Sequence, residues 1–205
     1  MAPYLLAADG DAVVGVRLYW WNVEASAALY GPLHCLEVTL RNALHDVLAG
    51  RHGRPDWWSS APLNRHGARL VDEARRKCER SGAAPATVDG IVAELSFGFW
   101  TSLVSGARGY DRGLWVPAAR KAFPHYSGRR DALHDSLLSL VHLRNRVMHH
   151  EPIHHRHLAA DHAKIYRVLG YVSAEMAEEA RAMDRFPAVL AARQDALRGA
   201  RPHRF

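Results

Sequence analysis

The sequence predicts an all-α protein, and three observations indicate this class. Apolar residues recur at steps of three and four through most of the 205 residues, which is the spacing of an amphipathic helix. No run alternates apolar and polar residues as a half-buried strand does, and no hairpin turn signal occurs. Glycine and proline stand where the periodic stretches end. With 48% hydrophobic and 23% charged residues, the composition is typical of one globular domain spanning residues 1–205.

The first long element is expected over residues 15–50, either as a helix pair or as one kinked helix. Pro32 fits the first turn of a second helix, with the preceding glycine marking the break. A loop over residues 50–62 follows and carries the pair Trp57 and Trp58. We expect these two rings to pack the loop against the core rather than to stack on bases.

Six further helices are predicted along the rest of the chain. Their spans are 63–81, 91–105 opened by Thr87, 115–123, the motif-bearing helix 129–150, the long helix 155–183, and 186–197. Pro124 and Pro152 end two of them, because a residue before proline is pushed out of helical geometry. A loop is expected over 106–113. The basic tail with Arg193, Arg198, Arg201 and Arg204 is expected to be solvated.

Charge and cysteine content limit the compartment and the partners. The chain has 27 Lys and Arg against 21 Asp and Glu, a net charge of +6 that admits a polyanionic partner such as RNA. Cys35 and Cys78 do not form a disulfide framework. The first residues lack the basic region of a secretory signal, and no stretch approaches the ~18 apolar residues of a membrane span. We therefore expect a cytoplasmic protein with no membrane partner.

Histidines are concentrated in one segment, with seven of the fourteen between His142 and His162. Imidazole binds zinc, copper and nickel, so a metal site is one interpretation. However, Pro152 interrupts the helix between His150 and His154, which form the nearest pair with ligand spacing. We favour a solvated, histidine-rich loop and expect no metal and no other cofactor.

Arg144 continues the apolar stripe set by residues such as Leu137 and Leu140. Because burying an unpaired charge is expensive, this arginine needs a partner. It either meets an internal carboxylate, such as Glu37 or Glu94, or opens onto a cleft or subunit interface that receives an anion. Both alternatives stay open at the level of the sequence.

His149 follows Arg144 by five residues, near the end of the same helix. Here the helix dipole favours an imidazolium, which suits a proton-transfer group. Asn145 lies one turn before His149 and is expected to orient it. The alternative is a histidine that only caps free carbonyls.

Five further residues are candidates for a supporting role. Glu37 and Arg41, with Asn42 beside them, form a polar patch on an early helix, and an intrahelical Glu37–Arg41 salt bridge is favoured over lining of the cleft. Arg146 and His150 are expected to be exposed, either contacting phosphates or forming a solvated face.

The segment LRNRVMHHEPI resembles the signature of Abi-like abortive-infection proteins of the HEPN superfamily. That motif is Arg, usually Asn, and then His after Arg and four to six intervening residues; Arg144 and His149 are separated by four, and His150 fits at five. The segments LHCLEVTLRNALHDVL, DWW, IVAELSFGFWTSL and W…AFP occur in the same order as in the family. The resemblance thus covers about residues 18–183.

The resemblance implies a HEPN-like helical bundle with additional N-terminal helices that forms a homodimer. It also implies a metal-independent endoribonuclease acting in antiphage defence or as a toxin, with Arg144, Asn145 and His149 as catalytic residues. An antitoxin or nucleotidyltransferase partner is possible for such proteins. Two alternatives stay open: a noncatalytic RNA-binding or regulatory HEPN protein, and a metal-dependent hydrolase that uses the histidine cluster.

Overall fold

The computed structural model describes residues 1–81, 85–106 and 109–203, and it confirms the all-α class. No strand occurs within these residues. The α-helices found there are α1 (Ala2–Leu6), α2 (Ala12–His52), α3 (Arg65–Ser81), α4 (Val88–Glu94), α5 (Phe97–Ser102), α6 (Arg130–Met148), α7 (Leu158–Val172), α8 (Ala174–Ala182), α9 (Phe186–Ala191) and α10 (Arg193–Arg198).

Of the two alternatives for the first long element, the helix pair is wrong and the single helix is correct, because α2 is one helix of 41 residues. The carboxylate of Asp11 caps its start by accepting from the backbone N–H groups of Val13 and Val14. Pro32 lies inside the helix and lacks the N–H that would bond one turn back. The helix continues through it because Leu29 and Leu33 are buried on either side, so packing holds the backbone where one hydrogen bond is lost.

The buried face of α2 forms the axis of the core. Its buried apolar side chains include Leu18, Trp21, Ala25, Leu29, Leu33, Leu36, Leu40, Leu44 and Leu48. Helices α6 to α10 pack around this face, together with α1 and α5. Trp57 and Trp58, in a short 3-10 turn after α2, are buried against the same core, so the predicted anchoring of this loop is confirmed.

Three predicted helices are each interrupted once. The stretch 91–105 is divided between α4 and α5, and the span 155–183 begins at Leu158 and breaks at Ser173. The last predicted helix divides at Ala192 into α9 and α10. At the first two breaks a serine in extended backbone geometry caps the next helix with its side chain, which ends the preceding helix.

Shorter differences concern the middle of the chain. The predicted helix 115–123 is replaced by a π-helical turn, Asp111–Trp115, and a 3-10 turn, Ala119–Ala122. Residues 107 and 108 of the predicted loop lie outside the described residues. The motif-bearing helix is Arg130–Met148, which is shorter than predicted at both ends.

The basic tail is only partly solvated, contrary to expectation. The guanidinium of Arg193 lies 4.9 Å from the ring centroid of Trp21. Arg201 pairs with Glu24 of α2, its Nη2 atom lying 2.6 Å from Oε1, and Glu24 is only 2% exposed. Arg204 lies outside the described residues. The tail therefore holds residues of α2 in place.

Within the described part of the chain, each helix is too short or too polar to cross a lipid bilayer.

Candidate functional site

The candidate site begins at the C-terminal end of α6, where His149 and His150 end the helix. The N–H of Glu151 donates to the carbonyl of Arg146 at 2.8 Å, and the N–H of His150 donates to that of Val147 at 3.3 Å. These two bonds form a Schellman motif, in which the residue after the cap adopts left-handed geometry. The helix thus ends before Pro152 rather than at it, and both imidazoles are exposed to solvent.

His150 occupies that left-handed position with a φ of +58°. Glycine is the usual residue there, because a β-carbon costs roughly 1–2 kcal/mol in this conformation. Strained backbone of this kind is concentrated at functional sites in proteins. The strained residue is His150, one of the two histidines that fit the spacing of the motif.

Arg144 lies one and a half turns before this end and meets Glu37 of α2, one of its two expected partners. Its Nε donates to Oε2 at 3.0 Å and its Nη2 to Oε1 at 3.3 Å. The two side chains are 28% and 19% exposed, so the pair sits at the surface of the core rather than inside it. Glu94, the other expected partner, pairs with Lys77 instead.

The side chains of Arg41 and Asn145, near this pair, have other partners than the sequence predicts. The predicted Glu37–Arg41 salt bridge is wrong, because the Glu37 carboxylate is engaged by Arg144, and Nε of Arg41 donates to Asn42 Oδ1 at 3.2 Å. Asn145 Oδ1 accepts from Nη1 of Arg144 at 3.4 Å. The expected contact of the Asn145 amide with His149 is not among the hydrogen bonds of the described residues. Asn145 thus supports the arginine.

Arg146 binds the segment of chain that follows α6. Its Nε donates to the carbonyl of Pro152 at 3.2 Å, and its Nη2 lies 3.6 Å from Oε2 of Glu151. The side chain is partly buried, so it is neither a fully solvated group nor a free phosphate contact. It fixes the chain that leaves the two histidines.

Two adjoining cavities border the end of α6 and form one groove along α2. The first, which we name the aromatic cavity, has a volume of about 570 Å³ and is lined by Tyr4, Tyr19, Asn22, Val23, Ser26, Ala27, Tyr30, Val147, Met148 and His150. The second, the ionic cavity, has a volume of about 200 Å³ and is lined by Tyr30, Leu33, His34, Glu37, Val38, Arg41, Ala93, Arg144, Val147 and Met148. The shared residues Tyr30, Val147 and Met148 connect them. Arg144 therefore faces the ionic cavity and His150 the adjoining aromatic cavity, whereas the predicted catalytic residue His149 lines neither.

Asn22 is a supporting residue that the sequence analysis missed. It is buried on α2, and its Oδ1 accepts from the N–H groups of Ile153 at 2.7 Å and His154 at 3.0 Å. These bonds hold the segment after the two histidines against α2. The signal in the sequence was a polar side chain placed between the buried positions Trp21 and Ala25, which indicates an internal hydrogen-bond partner.

Three of the five remaining histidines of the cluster have separate structural roles. His157 accepts from the N–H of Ala160 and caps α7, and His162 contacts the buried carboxylate of Asp184. His154 is buried beside Tyr4, and this burial, with the nearby His155 and Arg193, lowers the pKa of its imidazole. In the part of the chain that the structure describes, no three His, Cys, Asp or Glu side chains converge as metal ligands.

The geometry of the groove is the basis for assigning a function. It combines an arginine held at the surface, His150 at a helix end and a cavity with aromatic walls, while His149 is exposed at the same helix end. Comparison with known proteins finds no match among family models, curated proteins or solved structures.

Proposed function

We propose that this protein is a metal-independent endoribonuclease of the HEPN type that acts as an antiphage or toxin effector. The observation that carries the proposal is the arrangement at the end of α6, where Arg144 lines the groove and His149 is exposed five residues further on. In a helix this separation corresponds to a rise of about 7.5 Å. The proposal requires His149, which lines neither cavity, to turn toward a phosphate held at Arg144, whereas His150 already lines the groove.

The chemistry assigns one task to each group. His149 accepts the proton of the ribose 2′-hydroxyl, whose oxygen forms a bond to phosphorus while the bond from phosphorus to the 5′-oxygen breaks. Arg144, supported by Asn145, stabilises the additional negative charge of the transition state through its guanidinium. The products are a 2′,3′-cyclic phosphate and a 5′-hydroxyl.

The leaving 5′-oxygen needs a proton from a second group, because one histidine cannot be base and acid at the same time. The proposal therefore includes a homodimer in which a second copy supplies the acid. Val13, Val16 and Trp20 form an exposed apolar strip on α2, and the ring of Trp20 lies 5.0 Å from that of Tyr19 in the wall of the aromatic cavity, so the strip suits such an association. Sedimentation of the parent and of the Val16→Glu variant checks it, since a charge in this strip is expected to separate the copies.

The test of the activity is incubation of total RNA with parent protein in EDTA, followed by analysis of the fragment ends. We expect cyclic phosphate ends from the parent, and rates at least about 100-fold lower for His149→Ala and for Arg144→Ala. His155→Ala is the matched control, because His155 is also an exposed histidine of the same segment but lies after Pro152, beyond the helix end that carries the motif.

The comparison of variants also decides between the two adjacent histidines. If His150→Ala loses activity and His149→Ala retains it, His150 is the proton-transfer group. If both variants cut RNA as fast as the parent, or if EDTA abolishes cleavage, the proposal is wrong.

A noncatalytic RNA-binding or regulatory role is the second candidate, and one observation favours it. The Glu37 carboxylate already neutralises Arg144, so this guanidinium has less charge to offer the transition state of cleavage. This role predicts RNA binding that falls steeply with salt and no cleavage. The two candidates are separated by the same EDTA experiment combined with a binding titration.

A further inference from the structure

The two cavities of the groove differ in chemistry. One is uncharged and aromatic, as a nucleobase is, and the other is charged, as a phosphate is. The walls of the aromatic cavity carry no Lys, Arg, Asp or Glu, and three of them are tyrosines. The ionic cavity next to it carries Arg41, Arg144 and Glu37. An uncharged, flat group suits the first and an anion suits the second.

The tyrosines provide a firm surface. Tyr4 is buried, and its ring contacts the ring of Tyr19 edge to face, with centroids 5.4 Å apart. Tyr30 is 48% exposed at the junction of the two cavities, and its ring lies nearly parallel to that of His34, at 5.8 Å and 10°. Because these rings are already held by neighbours, stacking a base on them requires little reordering.

We infer that the aromatic cavity is a subsite for one unstacked nucleobase of single-stranded RNA, with the adjoining phosphate at Arg144. The cavity volume lies within the range of small-ligand pockets. A base inside a duplex is paired and stacked and cannot enter, so the subsite selects single strands. The inference rests on the proposed function, since it uses Arg144 as the phosphate-binding group.

Tyr30 is the residue that tests the subsite, because it is exposed and lies between the two cavities. Stacking on an aromatic side chain contributes about 1–3 kcal/mol per base, which corresponds to about 5- to 150-fold in affinity. Tyr30→Ala is expected to weaken binding of single-stranded RNA within that range, and Tyr30→Phe, which keeps the ring, to leave it within about twofold. Met183→Ala, an exposed apolar residue at the end of α8, is the control.

The probe is a fluorescently labelled 2′-O-methyl RNA oligonucleotide, used single-stranded and as a duplex. Its blocked 2′-oxygen prevents cleavage, so affinity is measured whether or not the protein is a nuclease. A second set of probes replaces one nucleotide at a time by an abasic residue. One abasic position is expected to weaken binding to the parent. The same abasic position should not weaken binding to Tyr30→Ala any further, because the missing base and the missing ring remove the same contact.

The outcomes separate this inference from the proposed function. Binding of the single strand through Tyr30, without cleavage of ordinary RNA, supports the subsite and overturns the nuclease. Cleavage of ordinary RNA with equal affinities of parent and Tyr30→Ala overturns the subsite and leaves the nuclease standing. Equal affinity of the parent for single strand and duplex also overturns the subsite, as does the absence of binding.

Discussion

Arg144 pairs with the carboxylate of Glu37, and the proposed function gives it a phosphate in the groove as a second, competing partner. The sequence could place this arginine on the apolar stripe of its helix but could not choose between the partners. Glu37 is 107 residues away in the chain, and only the packing of α2 against α6 brings the two together. The structure confirms the carboxylate partner, Glu37. The paired arginine also lines a cavity, as the alternative of a cleft requires.

Replacing Glu37 by Gln is therefore expected to have opposite effects on stability and on RNA binding. Loss of the carboxylate removes a partly exposed ion pair and lowers the free energy of unfolding by about 1 kcal/mol. It also releases the guanidinium, so affinity for single-stranded RNA rises by about fivefold, the equivalent of the same energy. Urea unfolding and a binding titration measure the two quantities.

The control is Glu73→Gln, which removes an exposed ion pair with Arg69 on α3. It should change neither the free energy of unfolding nor the affinity for single-stranded RNA appreciably. An RNA affinity of Glu37→Gln equal to or below that of the parent would show that Arg144 has a purely structural role.

His154 makes stability depend on pH. Its folded-state pKa is lowered, so between that value and the unfolded value of about 6.5 the unfolded chain binds more protons. Above about pH 6.5 this imidazole is neutral in both states and costs no stability. Below that pH the free energy of unfolding falls as the solution becomes more acidic.

The variant His154→Phe keeps a ring against Tyr4 and removes the titrating group. Its unfolding free energy should fall less than that of the parent between about pH 7.5 and about pH 5. Urea unfolding at both pH values measures this difference. His142→Phe, at an exposed histidine of α6, should retain the parent's dependence; identical slopes for parent and His154→Phe would contradict the assignment.

At the scale of the helices, the sequence predicted where helical structure occurs better than where it stops. The periodic apolar pattern gave the correct class and the approximate position of α2, α3 and α6. It did not reveal the breaks at Ser96 and Ser173, because the apolar spacing continues through both. The capping serines were the available signal, but a serine is tolerated inside a helix as well.

Ser173→Ala tests the cap at the α7–α8 junction. Its hydroxyl oxygen accepts from the N–H of Met176 at 3.1 Å, and loss of such a cap lowers the free energy of unfolding by about 1 kcal/mol. Ser136→Ala is a matched control, since Ser136 lies inside α6 and bonds back to the carbonyl of Ala132. That variant should be neutral or slightly stabilised in thermal unfolding. Equal losses in both would refute the capping role.

At the scale of the whole molecule, stability depends on contacts between α2 and distant parts of the chain. Trp21 donates to the carbonyl of Val189, and Glu24 pairs with Arg201. From the sequence alone the tail is expected to be solvated, because a run of arginines carries no local sign of a buried carboxylate far upstream.

Arg201→Ala should lower the free energy of unfolding by about 3 kcal/mol, because it leaves the buried Glu24 carboxylate without its main partner. Adding Glu24→Gln to this variant should restore part of the loss, since the uncompensated charge is then gone. Arg198→Ala, at an exposed arginine of α10, serves as the control. Denaturant unfolding gives all three values, and equal stability of the two arginine variants would contradict the prediction.

The separation of Glu24 from Arg201 also affects how the protein acquires its structure during synthesis. The two residues are 177 positions apart, so at about 5–20 residues per second a ribosome delivers the arginine roughly 9–35 s after the glutamate. Until then the nascent central helix carries an uncompensated carboxylate on a surface that later becomes buried. A nascent chain of this protein therefore completes its fold late, and in that interval it is a target for chaperones and proteases.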